Sequence, residues 1–205
     1  MIELFVSAFV TFLVVIDPPG CAPIFASVTK GADPRHRRLM ALRSVGIATG
    51  ILLFFALLGE DLLRHLGISL SAFRIAGGIL LFLIAIDMVF EKRTERRENR
   101  AEEVSASDHE DVSVFPMAIP MIAGPGSIAS IMLLMSRSDG LAESAVVLGA
   151  LGLTLLLTLL CLLLAAPLMR LLGHKMEAML TRLLGVILAA LATQFVIDGI
   201  ERSFS

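Results

Sequence analysis

Two short stretches of an otherwise apolar chain carry the residues that could do chemistry. The first is Ile16-Asp17-Pro18-Pro19-Gly20. The second is Gly124-Pro125-Gly126-Ser127, with Ser130 one helical turn further on. Asp17 offers a carboxylate that can cap a helix or hold a proton or a sodium ion. Proline lacks a backbone donor and disturbs the carbonyls one turn earlier, and glycine lets backbone or ligand approach closely. Proline is also preorganised for the first position of a new helix. Each stretch therefore reads as a place where one helix stops and another starts. The N–H groups at the start of a half-helix have no carbonyl to bond, and the dipole there favours an anion. The candidate substrate- or ion-binding residues are Asp17, Pro19, Gly20, Gly124, Pro125, Gly126, Ser127 and Ser130. Ser127 and Ser130 have two readings, ligand contact or hydrogen bonds to their own helix.

Such breaks matter because of the solvent the rest of the chain requires. The 205 residues are 57% hydrophobic and only 18% charged, with mean hydropathy +0.87. Soluble domains are about a quarter charged. Runs such as 151–166 hold no charge at all, and about 20 mostly apolar residues suffice to cross a bilayer. Six spans are expected, near 3–29, 40–59, 70–90, 113–136, 143–167 and 178–200, making this an all-α polytopic membrane protein. Broken backbone in lipid leaves polar groups unsatisfied at several kcal/mol each, so it survives only against protein or a water-filled cavity. From Leu4 to Thr29 a continuous helix would measure about 39 Å, more than the roughly 30 Å hydrocarbon core.

Basic residues alternate between connections. Lys30, Arg35, Arg37 and Arg38 fall in the first; Lys92, Arg93, Arg96, Arg97 and Arg100 in the third; Arg170 and Lys175 in the fifth, with Arg182 just beyond. The other side offers Arg64, Arg137 and Arg202. The positive-inside bias places the basic connections in the cytoplasm and both termini outside. Met1-Ile2-Glu3 lacks a basic n-region, so a cleaved signal peptide is not expected. Trp and Tyr are absent, leaving phenylalanine at the interfaces. Cys21 and Cys161 lie in apolar segments and read as free buried thiols.

An internal repeat divides the chain. Leu62–Gly67 (LLRHLG) matches Leu168–Gly173 (LMRLLG), Arg74–Leu80 (RIAGGIL) matches Arg182–Leu188 (RLLGVIL), and Pro19-Gly20 falls on Pro125-Gly126. The offset is 106 residues for the first and third pairs and 108 for the second. The expected organisation is a three-span repeat over 1–90, a polar cytoplasmic linker over 91–112, and a second three-span repeat over 113–205. Three spans is an odd number, so the second repeat enters from the opposite side. Inverted repeats with broken helices at mid-depth recur in secondary transporters. Ala123 stands where the repeat would place a partner for Asp17, so the two breaks are not chemically matched.

Lesser polar positions carry milder expectations. Thr193 and Gln194 read as interhelical hydrogen bonders, Asp87 and Asp198 as interfacial acids, and Arg43 and Arg74 as cations snorkelling from span ends. Gly46, Gly50, Gly77, Gly78, Gly149 and Gly152 read as helix-packing surfaces. His36, His65, His109 and His174 fall in connections or near span ends, and no HExxH, GxSxG, paired-aspartate or P-loop pattern occurs. No enzymatic activity, metal, cofactor or nucleic-acid partner is expected. Leucine-rich surfaces would permit a homo-oligomer.

With these residues in place, the chain resembles the MarC family of six-span bacterial inner-membrane proteins. The resemblance runs nearly end to end and rests on DPPGCAPIF (Asp17–Phe25), FPMAIPMIAGPGSIAS (Phe115–Ser130), RIAGGILLFLIAIDM (Arg74–Met88) and RLLGVILAALATQFVIDGI (Arg182–Ile200). Some relatives in that group are classed as neutral amino acid transporters. The resemblance thus implies a secondary transporter of a small solute, with a midplane site at the two motif regions, membrane lipid as surroundings, and H+ or Na+ as coupling ion. A lipid-phosphate translocase, carrying a polyprenyl phosphate or similar headgroup between leaflets, is the alternative.

Overall fold

The computed structural model describes residues 1–90, 92, 95, 96, 99 and 111–204, with side chains at 166 and 169–178 left out; most of the expected linker at 91–112 lies outside the described residues. The described residues form no strand. Eight helical elements follow one another among the described residues: α1 (Ile2–Ile16), α2 (Pro18–Val28), α3 (Pro34–His65), α4 (Leu70–Val89), α5 (Ser113–Ile122), α6 (Pro125–Met135), α7 (Gly140–Leu163) and α8 (Ala165–Phe204). Five stretches are long and apolar enough to cross a membrane, namely Ile2–Val28, α3, α4, α7 and Met179–Phe204. The pair α5–α6 makes a sixth, bent by 51° at its break. The protein is an all-α, polytopic membrane protein.

Local sequence accounts for the ends. Asp33 caps α3 by accepting from the Arg35 N–H at 2.9 Å, with Pro34 at the first position. Ser69 caps α4 through the Ala72 N–H at 3.1 Å. The stretch expected to connect the last two spans at 168–177 is helical instead, because α8 begins at Ala165 and runs on without a stop signal. Leu57, Leu83, Leu156 and Val186 point outward; in water these would be a liability, whereas lipid solvates them.

Of these five stretches, the first is the most enclosed: 56% of an 18-residue apolar window within it is buried, against at most 39% in the other four. Phe12, Ile16, Cys21, Ala22 and Phe25 are all buried there. Around it the pairings are reciprocal. α1 packs on α7 and α5 on α3; α2 packs on α7 and α8, α6 on α3 and α4; α4 packs on α8. The α4–α8 crossing is antiparallel and built on small residues. A Cβ at Gly78 would meet Val196 and Ala192, one at Gly185 would meet Met88 and Ala85, and one at Gly199 would meet Ile75. Gly77 lies against Leu133 of α6. The other glycines expected to pack do not: Gly46, Gly50, Gly149 and Gly152 have nothing within 4 Å of an added Cβ.

Candidate functional site

The first break is a single left-handed residue. Asp17 has φ 58° and ψ 66° and is 2% exposed. Its N–H bonds the Leu13 carbonyl and so closes α1, while its Oδ1 accepts from the Gly20 N–H at 3.2 Å and so opens α2. One carboxylate thus satisfies an orphan donor and places negative charge at the positive helix end. Pro18 and Pro19 fill the first two positions, where no donor is needed. Gly20 lies inside the first turn of α2. The anion that this helix start attracts is the chain's own.

The second break is built differently. In α5 the hydrogen bonds span wide turns, and Phe115 and Ile119 have extended backbone angles ahead of cis bonds to Pro116 and Pro120. Met117 N–H reaches back to the Val112 carbonyl and Ala123 N–H to that of Ala118. Gly124, extended at φ −81° and ψ 173°, then starts α6 with Pro125 behind it. An added Cβ at Gly124 would sit 2.3 Å from the Pro120 carbonyl oxygen, so only glycine fits. No side chain caps α6. The N–H groups of Gly126 and Ser127 therefore have no carbonyl one turn earlier and no capping acceptor.

That open end faces a cavity of about 300 Å³, lined by Gly124, Pro125, Gly126 and Ser127, by Pro120 and Met121 of α5, by Val15 of α1, by Leu80, Ile84 and Asp87 of α4, and by Arg96. Ser127 is 2% exposed and makes no hydrogen bond among the described residues. Ser130, three residues on and so on the same face of α6, keeps its buried Oγ unpartnered as well. Gly126 brings the helix start close to its neighbours: a Cβ there would lie 2.6 Å from Ile84 Cδ1 and 3.1 Å from Val15 Cγ1. Arg96 forms an ion pair with Asp87 at the cavity wall.

The predicted site residues thus separate into two groups. Gly124, Pro125, Gly126 and Ser127 line one cavity, and Ser130, one turn further along α6, does not line it. Asp17, Pro19 and Gly20 belong to the other break, which touches this region through Val15, and they do not line the cavity. Of the two helix starts, that of α2 is capped by Asp17 and that of α6 is open. Asp87 and Arg96 were not candidates; only their opposite charges nine positions apart, across the end of α4, hinted at a pair.

The far end of the bundle is closed. Arg74 does not snorkel: it is 1% exposed and donates to the Ser136 carbonyl at 2.8 Å and to the Ser136 Oγ at 3.2 Å, holding the end of α6. Arg137 pairs with Asp198 and lies 4.3 Å from the centre of the Phe195 ring. Asp198 is therefore engaged in an ion pair. Gln194 donates to Asp198 and Thr193 to the Ala189 carbonyl, both within α8 rather than between helices.

A six-span helical protein whose broken span opens an apolar-walled cavity with an uncapped helix start belongs among polytopic integral membrane proteins. The description "MarC family integral membrane protein" matches residues 2–204, and the chain belongs to that family. It is 38% identical over 200 residues to a UPF0056 membrane protein of Methanocaldococcus jannaschii, covering 98% of this chain and 97% of the relative. Identity is 34% to a UPF0056 membrane protein of Archaeoglobus fulgidus, with 97% and 93% covered. It is 37% to the UPF0056 inner membrane protein YhgN of Escherichia coli K12, with 96% and 95% covered. No solved structure matches the chain.

Proposed function

We propose that this protein is a secondary transporter, not an enzyme, and that it moves a small carboxylate-bearing solute, a neutral amino acid in the first instance, through the cavity at the start of α6. The observation that carries this reading is the uncapped first turn of α6 opening, with the unpartnered Ser127 hydroxyl, into a cavity of about 300 Å³. Two N–H groups, a hydroxyl and a helix dipole suit a carboxylate. Asp87, paired with Arg96 on the same wall, would meet an ammonium only by giving up that partner. The volume is at the lower end of small-molecule sites, which fits a small solute.

The reciprocal helix pairings and the antiparallel α4–α8 crossing are what a pseudo-two-fold axis in the membrane plane would produce, and they support the inverted repeat. On this reading the cavity opens toward the basic, cytoplasmic side, the Arg74 and Arg137 contacts close the periplasmic side, and both termini are periplasmic in the inner membrane. Asp17 serves α2 as a cap through Oδ1, and its second carboxylate oxygen can serve a coupling proton or sodium ion. A homo-oligomer would cover the open glycines of α3 and α7.

A lipid-phosphate translocase is the second reading, favoured by the apolar walls of Val15, Leu80 and Ile84 beside the same anion-seeking end. Counterflow in proteoliposomes separates them. Radiolabelled neutral amino acids should exchange across vesicles holding the protein, and Ser127→Val should slow exchange about tenfold, the worth of a hydrogen bond to a charged group. Exchange of a polyprenyl phosphate between leaflets without amino acid flux would replace the first reading with the second. Flux of neither would sink both.

A further inference from the structure

On the face of the bundle that carries the linker, a second cavity of about 170 Å³ lies away from the transport site. It is lined by Phe25 of α2, by Pro34, Arg37 and Arg38 at the start of α3, and by Leu162 and Leu163 at the end of α7. Positions 34, 37 and 38 fall on one face of α3 by helical spacing. Neither guanidinium has a hydrogen bond or ion pair among the described residues. The acid nearest in sequence, Asp33, is occupied by the Arg35 N–H. The floor is apolar, with Phe25 and Leu162 buried, and Leu39, Leu42, Leu163 and Leu164 stand exposed around the rim. Two cations with no partner among the described residues thus sit at the boundary where lipid-facing leucines begin, over an apolar notch between three helices.

We propose that this notch holds the phosphodiester headgroup of an anionic membrane phospholipid, with its acyl chains along the exposed leucines of α3 and α7. Charge complementarity selects the headgroup: the planar guanidinium forks of Arg37 and Arg38 match phosphate oxygens in a bidentate manner. A basic pocket between membrane helices is the form such sites take. The apolar floor and rim favour a lipid over free phosphate, which gains nothing from either. The proposal stands independently of the transport reading, since no residue is shared between the two cavities.

The test uses the full chain purified in detergent and delipidated, with bound lipid counted by native mass spectrometry. Phosphatidylglycerol should bind saturably, phosphatidylcholine much more weakly. Arg37→Gln/Arg38→Gln should weaken phosphatidylglycerol binding on the order of 30-fold, about fivefold per juxtamembrane cation. Lys30→Gln/Arg35→Gln removes the same charge outside the notch and should weaken it less than fivefold. Both double variants should keep the wild-type melting temperature without lipid. Equal losses in the two variants would mean general surface charge and overturn the site. So would equal binding of both lipids, or displacement of phosphatidylglycerol by millimolar inorganic phosphate, which would assign the arginines to a free anion.

Discussion

The two breaks, 106 residues apart in the chain, solve the same problem by opposite means. At Asp17 the chain turns through one left-handed residue, and the carboxylate of that residue closes the new helix. At Gly124 the chain arrives through the wide turns of α5, and the new helix starts with no acceptor at all. The first break is filled and enclosed; the second faces a cavity. A helix start in a low-dielectric interior needs negative charge, and the molecule supplies it internally on one side and leaves it to be supplied on the other. The two helix starts differ by one capping carboxylate.

Changes at the second break should have the largest effect. Gly124→Ala puts a methyl group 2.3 Å from the Pro120 carbonyl oxygen. Overpacking of this kind costs about 3 kcal/mol, here against backbone that cannot rotate away. Thermal unfolding in detergent, followed by reactivity of the buried Cys21 thiol, should show a large fall in melting temperature. A wild-type melting curve would mean that α5 is far more pliant than its geometry indicates.

The comparison can also be inverted. Ala123→Asp places a carboxylate beside the open start of α6, at the position equivalent to Asp17, where Ala123 is 2% exposed. It should act as a resident anion and suppress solute exchange more than tenfold, the effect of an opposing charge within a few ångströms at an effective dielectric near 20. Undiminished exchange would separate the cavity from transport.

Asp17 allows a finer distinction. Asn tolerates the left-handed conformation and keeps an acceptor, so Asp17→Asn should lose well under 1 kcal/mol. Asp17→Ala loses the cap and suffers the conformation, together about 2 kcal/mol. If Asn restores stability but abolishes ion-coupled exchange, the carboxylate has a second task; if Asn restores both, capping is the whole of its role.

The smallest effect is expected at the entrance to α5. Asp111 accepts from the Ser113 N–H and from Arg43, both at 2.9 Å. Ser113, then Arg43, holds its carboxyl below the usual range. Its contribution is therefore present at neutral pH and lost as pH falls through that lowered value. Because the pair is largely exposed, Asp111→Asn should cost under about 1 kcal/mol, and the difference from wild type should vanish in acid and shrink in high salt.

Much of this was legible in the chain. Apolar runs between basic connections announced six spans, and proline next to glycine announced both breaks, because these residue types act on their own backbone. The cap by Asp17 was legible for the same reason: donor and acceptor are three residues apart. The cavity was not. It needs Val15, Ile84 and Ser127 from three distant segments, and nothing in their types distinguishes them from core residues. Arg74 shows the limit from the other side: a cation near a span end reads as snorkelling, yet here it reaches Ser136, 62 positions away. The glycines behaved likewise, those of α4 being packed and those of α3 and α7 left open.

By itself, then, the sequence determined the solvent, the number of crossings and the points where helices must stop, since each follows from local hydrophobicity or from the covalent limits of proline and glycine. Only the tertiary structure decided that the open helix start faces a cavity and which arginine is buried. Those outcomes depend on what distant helices place around a free donor or charge, and no local pattern encodes that.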